Sequence, residues 1–202
     1  GWWNGEEGVI GATPESLFRL RRHQLETMAL AGTARREERD VFCVDEKEIR
    51  EHEFVAQSLI SKLSDLGMVR REVRQVLDLG QLVHFQTLIK VELYRGESID
   101  RLVERLHPTP ALGPLPRTAE TMRMAVDWRE RLQCPEVFGA PFGLLHEGEF
   151  QALVGIRMLR WQGRELFLPS GCGIIEESRL VNEWRELRLK REAVRESFAL
   201  AR

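Results

Sequence analysis

The fold is best interpreted from two nearby segments late in the chain, Gly171-Cys-Gly-Ile-Ile-Glu-Glu-Ser178 and Glu183-Trp-Arg-Glu-Leu-Arg-Leu-Lys190. Ser178 is a residue type that favours the N-cap position, and the run of helix formers after it contains no Gly or Pro. The sequence therefore predicts a helix from about Arg179 onward.

Acidic and basic side chains fall on one face of this predicted helix. Glu183, Glu186 and Lys190 are three and four residues apart, so they share that face. Such a face is usually only solvated, but Glu165-Leu-Phe-Leu168 is typical of a strand and leads towards the Gly-x-Gly turn before the helix. Backbone N–H groups and a helix N-terminus would then meet the carboxylates, an arrangement suited to an anionic ligand beside a metal ion.

The composition indicates one globular unit and excludes several classes of protein. With 202 residues, 43% of them hydrophobic, the chain can bury a sizeable core, and we assign residues 1–202 to a single domain. The net charge is −2 with basic and acidic residues mixed, so we expect no nucleic-acid partner. No apolar run approaches the roughly 20 residues of a membrane span, so we expect no membrane insertion. Cys43, Cys134 and Cys172 form no Cys-x-x-Cys pair, which favours a reducing compartment and a cytoplasmic location.

Hydrophobic periodicity divides the chain into strands and helices. Alternating and apolar runs predict a meander of strands that begins in the segment Gly8–Glu15. Apolar positions at helical spacing predict helices, one of them capped by Ser98. The further expected strands are Leu17–Leu20, Gln24–Leu30, Glu72–Leu79, Leu82–Leu93 and Phe150–Arg157, and the expected helices are Val44–Leu66, Ser98–Leu106 and Thr118–Leu132.

The segment from Ser170 to Ser178 and the helix after it resemble the closing motif of the chorismate-utilising enzymes. That family includes isochorismate, salicylate, anthranilate and aminodeoxychorismate synthases. The resemblance covers essentially all 202 residues, but only as the C-terminal portion of a longer module. It implies an α+β fold in which large antiparallel β-sheets are flanked by helices, here incomplete at the N-terminus, with chorismate as the ligand.

Two motifs favour the isochorismate synthases within this family. A Glu after Pro is by itself usually a turn residue, but Gly11-Ala-Thr-Pro-Glu15 resembles the family's Gly-Ala-x-Pro-Glu motif, whose Glu is the general acid of isochorismate synthases. Leu106-His-Pro-Thr-Pro-Ala111 is similar to the isochorismate synthase version of a loop that has Phe-Pro sequences in the other branches. By this resemblance the expected catalytic residues are Glu15 and His107, and the residues expected beside the substrate ring are His107, Ala111 and Leu112.

Further motifs imply contacts with the substrate. Ala29-Leu-Ala-Gly-Thr33 resembles a family motif that begins with Pro, whose Gly-Thr pair touches the substrate. Ala31 stands where aminodeoxychorismate synthases place a nucleophilic Lys, which disfavours that branch. An Arg in an apolar strand needs a partner, and the family's Arg at the position of Arg157 binds a substrate carboxylate with its guanidinium fork. The expected substrate-binding residues are Gly32, Thr33, His84, Ala111, Leu112, Arg157, Gly171 and Lys190.

A second pair of acids lies on the helix that follows the Gly-Thr motif. Glu48 and Glu51 share one face there, and the segment Glu46-Lys-Glu-Ile-Arg-Glu-His52 resembles the family's Glu-Lys-Asp-x-x-Glu-His motif, with Glu48 in place of Asp. The resemblance implies Mg²⁺ as the cofactor, bound directly by Glu51 and Glu186 and through water by Glu48 and Glu183. Because Mg²⁺ keeps several waters and takes one or two protein carboxylates, this division is chemically reasonable.

The resemblance predicts an isochorismate synthase, which adds water to chorismate at C2 with loss of the C4 hydroxyl, for menaquinone or siderophore biosynthesis. Two alternatives stay open: a salicylate- or anthranilate-type enzyme, and a truncated, inactive interaction module. In the family the general base is a Lys on a strand well upstream, and only ten residues precede Gly11. We therefore expect either a fragment or a chain that cannot complete the reaction alone, with open sheet edges that favour a homodimer.

Overall fold

The computed structural model describes residues 1–200 as two antiparallel β-sheets and five α-helices. The predicted α+β class is confirmed, whereas the single domain stays a prediction. The elements in chain order are β1 (Trp2–Trp3), β2 (Glu7–Gly11), β3 (Ser16–Arg21), β4 (Gln24–Arg35), α1 (Arg39–Val44), α2 (Glu46–Leu63), β5 (Gly67–Arg71), β6 (Gln75–Asp78), β7 (Leu82–Leu93), α3 (Ile99–Leu106), α4 (Ala119–Arg131), β8 (Pro141–His146), β9 (Glu149–Val154), β10 (Met158–Gln162), β11 (Glu165–Phe167) and α5 (Leu180–Ser197), with a 3₁₀ turn at Arg36–Glu38.

The larger sheet is built on the pairing of its two longest strands. Its order is β5-β7-β4-β3-β9-β8, and β6 also pairs with β7. β4 and β7 are 12 residues long each and pair over nearly all of this length. Their register shifts between Ala31 and Thr33, where Gly32 has a φ of 77°. Glycine adopts this left-handed conformation without steric cost, and a bulge of this kind redirects the neighbouring groups of the strand.

α2 packs against the larger sheet through one apolar stripe. Val55, Ala56, Leu59 and Leu63 recur at helical spacing and are all buried. They belong to the main core, together with residues of β3, β4, β7, β9 and α3. Burial of each leucine contributes about 1.5–3 kcal/mol relative to exposure, so this stripe fixes where the polar face of α2 points.

The smaller sheet has the order β1-β2-β10-β11 and its own small core of Val9, Phe138 and Met158. The chain passes between the two sheets at residues 12–15 and again at residues 155–157. Backbone hydrogen bonds tie the two crossings together. Ala12 N–H in the first crossing donates to the carbonyl of Arg157 in the second at 3.1 Å, and Val154 N–H at the end of β9 donates to the carbonyl of Glu15 in the first at 3.0 Å. The two crossings therefore lie side by side.

One predicted helix cap and one predicted strand end around the site are wrong. α5 begins at Leu180 with Arg179 at its N-cap position. Ser178 does not cap the helix; its Oγ accepts a hydrogen bond from Ile175 N–H at 3.1 Å and closes a turn before the helix. The predicted strand Phe150–Arg157 ends at Val154, and Arg157 has a φ of 50°, which is incompatible with an extended strand.

The other predicted segments are confirmed with smaller changes. The strand expected at Glu72–Leu79 is limited to β6, and β5 before it was not predicted. The long helix expected from Val44 is interrupted at Asp45: Val44 is the last residue of α1, and the rest of the helix is α2. The expected cap Ser98 is present at α3, and Thr118, expected as the first residue of the next helix, is the N-cap of α4. No helix within residues 1–200 is long and apolar enough to cross a membrane.

We predict that Leu59→Ala lowers the free energy of unfolding by about 2–5 kcal/mol, because truncation leaves a cavity between α2 and the sheet. Leu59 is 2% exposed, whereas Leu144 on β8 is 70% exposed. Leu144→Ala is therefore the matched control, expected to change stability by less than about 0.5 kcal/mol. Urea denaturation followed by circular dichroism measures both, and equal losses would contradict this assignment of the core.

Candidate active site

A cavity of about 800 Å³ has walls formed by β4, β7, α2, α4, α5 and the two crossings between the sheets. Most of the predicted site residues line it, although they come from widely separated parts of the sequence. They are Glu15, Gly32, Thr33, Glu51, His84, Ala111, Leu112, Arg157, Gly171, Glu186 and Lys190.

Glu15 is a buried acid in the wall of this cavity. It is the last residue of the first crossing, directly before β3, and is 5% exposed. Burial raises the pKa of Glu15 to about 7, and the Thr109 hydroxyl and the positive charges of Lys190 and Arg157 oppose this rise. A large fraction of the carboxyl groups is therefore protonated near neutral pH, so Glu15 can donate a proton.

Arg157 reaches the cavity from the second crossing and is held by His84. Its Nη2–H donates to Nε2 of His84 at 3.0 Å. Nδ1 of His84 lies 2.9 Å from the carbonyl oxygen of Gly32, which can only accept, so Nδ1 carries the proton and Nε2 is free to accept. Burial, together with the charges of Arg157 and Lys190, lowers the pKa of His84 to about 3. His84 is therefore neutral, and besides facing the cavity it links the β4 bulge to Arg157.

The acids of α2 are organised by a lysine that the sequence did not single out. Lys47 Nζ lies 2.9 Å from Glu48 Oε1, 2.9 Å from Glu51 Oε2 and 3.3 Å from Glu183 Oε1. Glu48 Oε2 also accepts a hydrogen bond from Thr33 N–H at 2.9 Å. The predicted metal acids of α2 and α5 are thus brought together, with an ammonium group between them.

The second lysine of the site pairs with the remaining acid. Lys190 forms an ion pair with Glu186, four residues earlier on α5. Its Nζ also donates to the carbonyl of Gly171 at 2.8 Å. Burial raises the pKa of Glu51; the Lys47 ammonium opposes this rise, and the negative charges of Glu186 and Glu48 add to it. Glu51 and Glu186 therefore share one electrostatic environment and one cavity wall.

These acids fit a hard cation that keeps part of its water shell. Within residues 1–200, no group of three or more His, Cys, Asp or Glu side chains converges as a ready metal cage. Glu183, however, is 6% exposed, and neither of its carboxylate oxygens has a hydrogen-bond partner among the described residues. The Lys47 ammonium, 3.3 Å from Glu183 Oε1, compensates this buried charge in part, and the Glu183 oxygens keep the capacity to bind a cation or its water. Because Mg²⁺ takes one or two protein carboxylates and completes its shell with water and ligand oxygens, the donor set fits it.

The loop before α5 approaches α2 very closely. A Cβ added at Gly173 would lie 2.4 Å from Oε1 of Glu51, so the Glu51 side chain would have to shift to make room for it. A second cavity of about 760 Å³ also has Glu51 and Gly173 in its wall. Glu51 therefore lies between the two cavities.

His107 is placed differently from the expectation. Its Nε2–H donates to the carbonyl of Gly139 at 2.8 Å, and its ring does not line the cavity. This bond anchors the loop that presents Ala111 and Leu112 to the cavity. The geometry gives His107 a structural contact, and its catalytic role stays a prediction.

Two residues with contacts in the site were not foreseen from the sequence. Lys47 lies four residues before Glu51, a helical spacing that could have indicated the ion pair. Thr109 is 5% exposed and lowers the pKa of Glu15, but it comes from the proline-rich loop far away in sequence. No local pattern could have shown that contact.

Comparisons with known proteins place the chain in a family. The family model described as chorismate binding enzyme matches residues 2–198. The chain is 31% identical to the salicylate biosynthesis isochorismate synthase of Pseudomonas aeruginosa, covering 96% of this chain and 43% of the relative. It is 32% identical to isochorismate synthase MenF of Bacillus subtilis, covering 90% of this chain and 40% of the relative. It is also 26% identical to anthranilate synthase component 1 of Aquifex aeolicus, covering 96% of this chain and 41% of the relative.

Solved structures show the same fold. The menaquinone-specific isochorismate synthase MenF from Escherichia coli matches with a TM-score of 0.79 at 26% identity, over 95% of this chain and 46% of that chain. The putative 2,3-dihydroxybenzoate-specific isochorismate synthase DhbC from Bacillus anthracis matches with a TM-score of 0.84 at 25% identity, over 96% of this chain and 54% of that chain. The chain thus spans about half the length of the relatives it matches. Since the family model accounts for nearly every residue, the chain belongs to the chorismate binding enzyme family.

Proposed function

We propose that this chain carries the chorismate-binding and proton-donating portion of an isochorismate synthase, which converts chorismate to isochorismate. The observation that carries the proposal is the position of Glu15, a buried carboxyl of pKa about 7 that shares a cavity with two cationic side chains, Arg157 and Lys190. This combination suits a dianionic substrate that loses a hydroxyl group, because the leaving oxygen needs a proton and the carboxylates need fixed cations.

The cationic side chains divide the two carboxylates of chorismate between them. Arg157 binds the pyruvyl carboxylate, for which its planar guanidinium fork is suited. His84 supports this role, since its neutral ring accepts one N–H of Arg157 and limits the orientations of the fork. Lys190, with the backbone amides near Gly171 and Gly32, faces the ring carboxylate.

Glu15 is the proposed general acid. Adding water at C2 with loss of the C4 hydroxyl requires a proton on the departing oxygen, and a carboxyl with a pKa near working pH is the efficient donor. The Thr109 hydroxyl belongs to the Leu-His-Pro-Thr-Pro-Ala loop, so the motif that resembles isochorismate synthases lies beside the acid. That contact favours this reaction over the salicylate- and anthranilate-type alternatives.

Mg²⁺ is the proposed cofactor, held directly by Glu51 and Glu186 and through water by Glu48 and Glu183. When bound, it supplies positive charge for the ring carboxylate and fixes the orientation of the ring. The chain's own contribution is to hold the four acids in position on α2 and α5, with Glu48 fixed by Thr33 N–H.

The remaining assignments concern the whole protein. The attacking water must lose a proton, and we propose that a lysine on another part of the complete module accepts it, since Lys190 is paired with Glu186. Chorismate as ligand, a cytoplasmic location, homodimer formation and supply of menaquinone or siderophore biosynthesis belong to the same proposal.

The test is to incubate the complete module, in which this chain is joined to the part that supplies the general base, with chorismate and Mg²⁺ and to separate the products by chromatography. We expect isochorismate, and Glu15→Gln is expected to bind chorismate but to lose turnover by about a hundredfold or more. Salicylate or an ammonia-dependent product would identify one of the other branches instead. Retained chorismate binding without any turnover would favour the inactive interaction module.

We predict a pH signature of Glu15 that needs no turnover. Its pKa in the folded chain, about 7, lies above the ordinary value of 4.5, so folding takes up a proton between these two values. The stability that this group contributes is complete below about pH 4.5 and is lost as the pH rises through about 7. Glu15→Gln cannot ionise, and it should gain on the order of 3 kcal/mol over the parent between pH 4 and pH 8. Urea denaturation at a series of pH values measures this difference.

The matched control for this pH series is Glu92→Gln. Glu92 lies exposed on β7, outside the cavity, so this variant should follow the pH dependence of the parent. A Glu15→Gln variant that also follows the parent would contradict the raised pKa.

We predict that Glu51→Gln and Glu186→Gln each weaken Mg²⁺ binding by at least about tenfold, because each loses a charged ligand oxygen. Calorimetric titration of the purified chain with MgCl₂ measures the affinity directly. Glu192→Gln is the control on the same helix, since Glu192 pairs with Arg188 on the surface. Equal weakening by the control would show that general charge, rather than these two ligands, holds the ion.

A further inference from the structure

Lys47 occupies the position between the acids of α2 and α5. Its ammonium group lies within 3.3 Å of carboxylate oxygens of Glu48, Glu51 and Glu183. An ammonium has three N–H donors and no acceptor, so it can serve all three acids at once. A single side chain thus neutralises part of a cluster that would otherwise repel itself.

Glu183 depends most on this contact. It is 6% exposed, and its oxygens have no hydrogen-bond partner within residues 1–200. Within the same residues, its one ion-pair partner is Lys47, at 3.3 Å. The buried carboxylate is therefore compensated by the charge of Lys47 rather than by hydrogen bonds.

Lys47 stays charged in this environment. Burial by itself would favour the neutral amine, but the charges and hydrogen bonds of Glu51 and Glu48 outweigh it and raise the pKa of Lys47. The group is consequently unsuited to accept a proton from water, and it is not the missing general base. Its chemistry in the site is that of a permanent cation.

We propose that Lys47 is an internal counter-ion that occupies the acid cluster when no metal is bound, and that a divalent cation must displace it from Glu51 and Glu183. The inference rests on the proposed metal site and adds to it the residue that sets its affinity. Lys47 contacts Oε2 of Glu51, and a divalent cation bound to the same carboxylate would repel the ammonium group. Loading of the metal and retraction of Lys47 are therefore one event.

The position of Lys47 permits this exchange. It lies in the first turn of α2, whose start is fixed by Asp45 accepting from Glu48 N–H. Its side chain is 19% exposed, so the flexible four-carbon stem can swing towards solvent without disturbing the helix. Glu48 keeps its bond to Thr33 N–H when the lysine leaves, which preserves the arrangement of the acids.

Exchange and simple structural support have different consequences. If Lys47 were only a structural ion pair, its loss would weaken the fold and the metal site together. If it competes with the metal, its loss weakens the metal-free fold but strengthens metal binding. The opposite signs of these two effects are the signature of the proposal.

The decisive variant is Lys47→Met, which keeps the length of the side chain and removes the charge. We expect its metal-free chain to melt at a lower temperature, its Mg²⁺ dissociation constant to fall by about tenfold, and the difference in melting temperature to close at saturating Mg²⁺. Calorimetric titration with MgCl₂ and thermal unfolding with and without the salt measure these effects. Neither readout uses turnover.

Two further variants act as controls. Lys47→Arg keeps the charge and should bind Mg²⁺ as weakly as the parent. Lys90→Met removes the same charge from β7, where Lys90 pairs with Glu72 outside the cluster, and should change neither affinity nor the response to Mg²⁺.

Unchanged or weaker Mg²⁺ binding by Lys47→Met would overturn the proposal. A Lys47→Met chain that is unfolded both with and without Mg²⁺ would overturn it as well, because the metal is proposed to replace the lysine. The proposed function fails differently: Mg²⁺ binding by the parent that survives Glu186→Gln would misplace the metal, and a product other than isochorismate would change the reaction. Either of these two results could be observed while Lys47→Met still shows its expected effects, so the two proposals can fail separately.

Discussion

The register of β4 against β7 is the constraint on which the rest of the site depends. The bulge at Gly32 interrupts the ladder between these strands and gives two backbone groups a new use. The N–H of Thr33 donates to Glu48, and the carbonyl of Gly32 accepts from His84. One irregular residue in the sheet thereby orients an acid on α2 and, through the histidine, an arginine on the crossing after β9.

Alternation of charge allows so many ionisable groups to share one cavity. Like charges at short distance in a poorly solvated space repel by several kcal/mol, so four carboxylates could not be buried together alone. Lys47 lies among three of them, and Lys190 pairs with the fourth. Glu15 solves the same problem in another way, since burial favours its protonated and neutral form. The site therefore combines paired charges on one wall with a neutral acid on another.

The sequence predicted the identity of the site better than its internal contacts. Most of the expected residues line one cavity, and they were expected from motifs that resemble the family rather than from local periodicity. The left-handed backbone of Arg157 and the turn closed by Ser178 escaped prediction, since both depend on hydrogen bonds rather than on hydrophobic periodicity. The position of His107 was missed for a related reason: its partner is a carbonyl 32 residues away, at Gly139. Contacts over such separations leave no local signal.

The missing side chain of Gly173 has a consequence for how the site is assembled. A methyl group at this position would meet the carboxylate of Glu51, so that side chain would have to change its conformation to make room. The loop before α5 can therefore lie against α2 while Glu51 keeps its present position. A substitution at Gly173 would act first on the placement of this one acid.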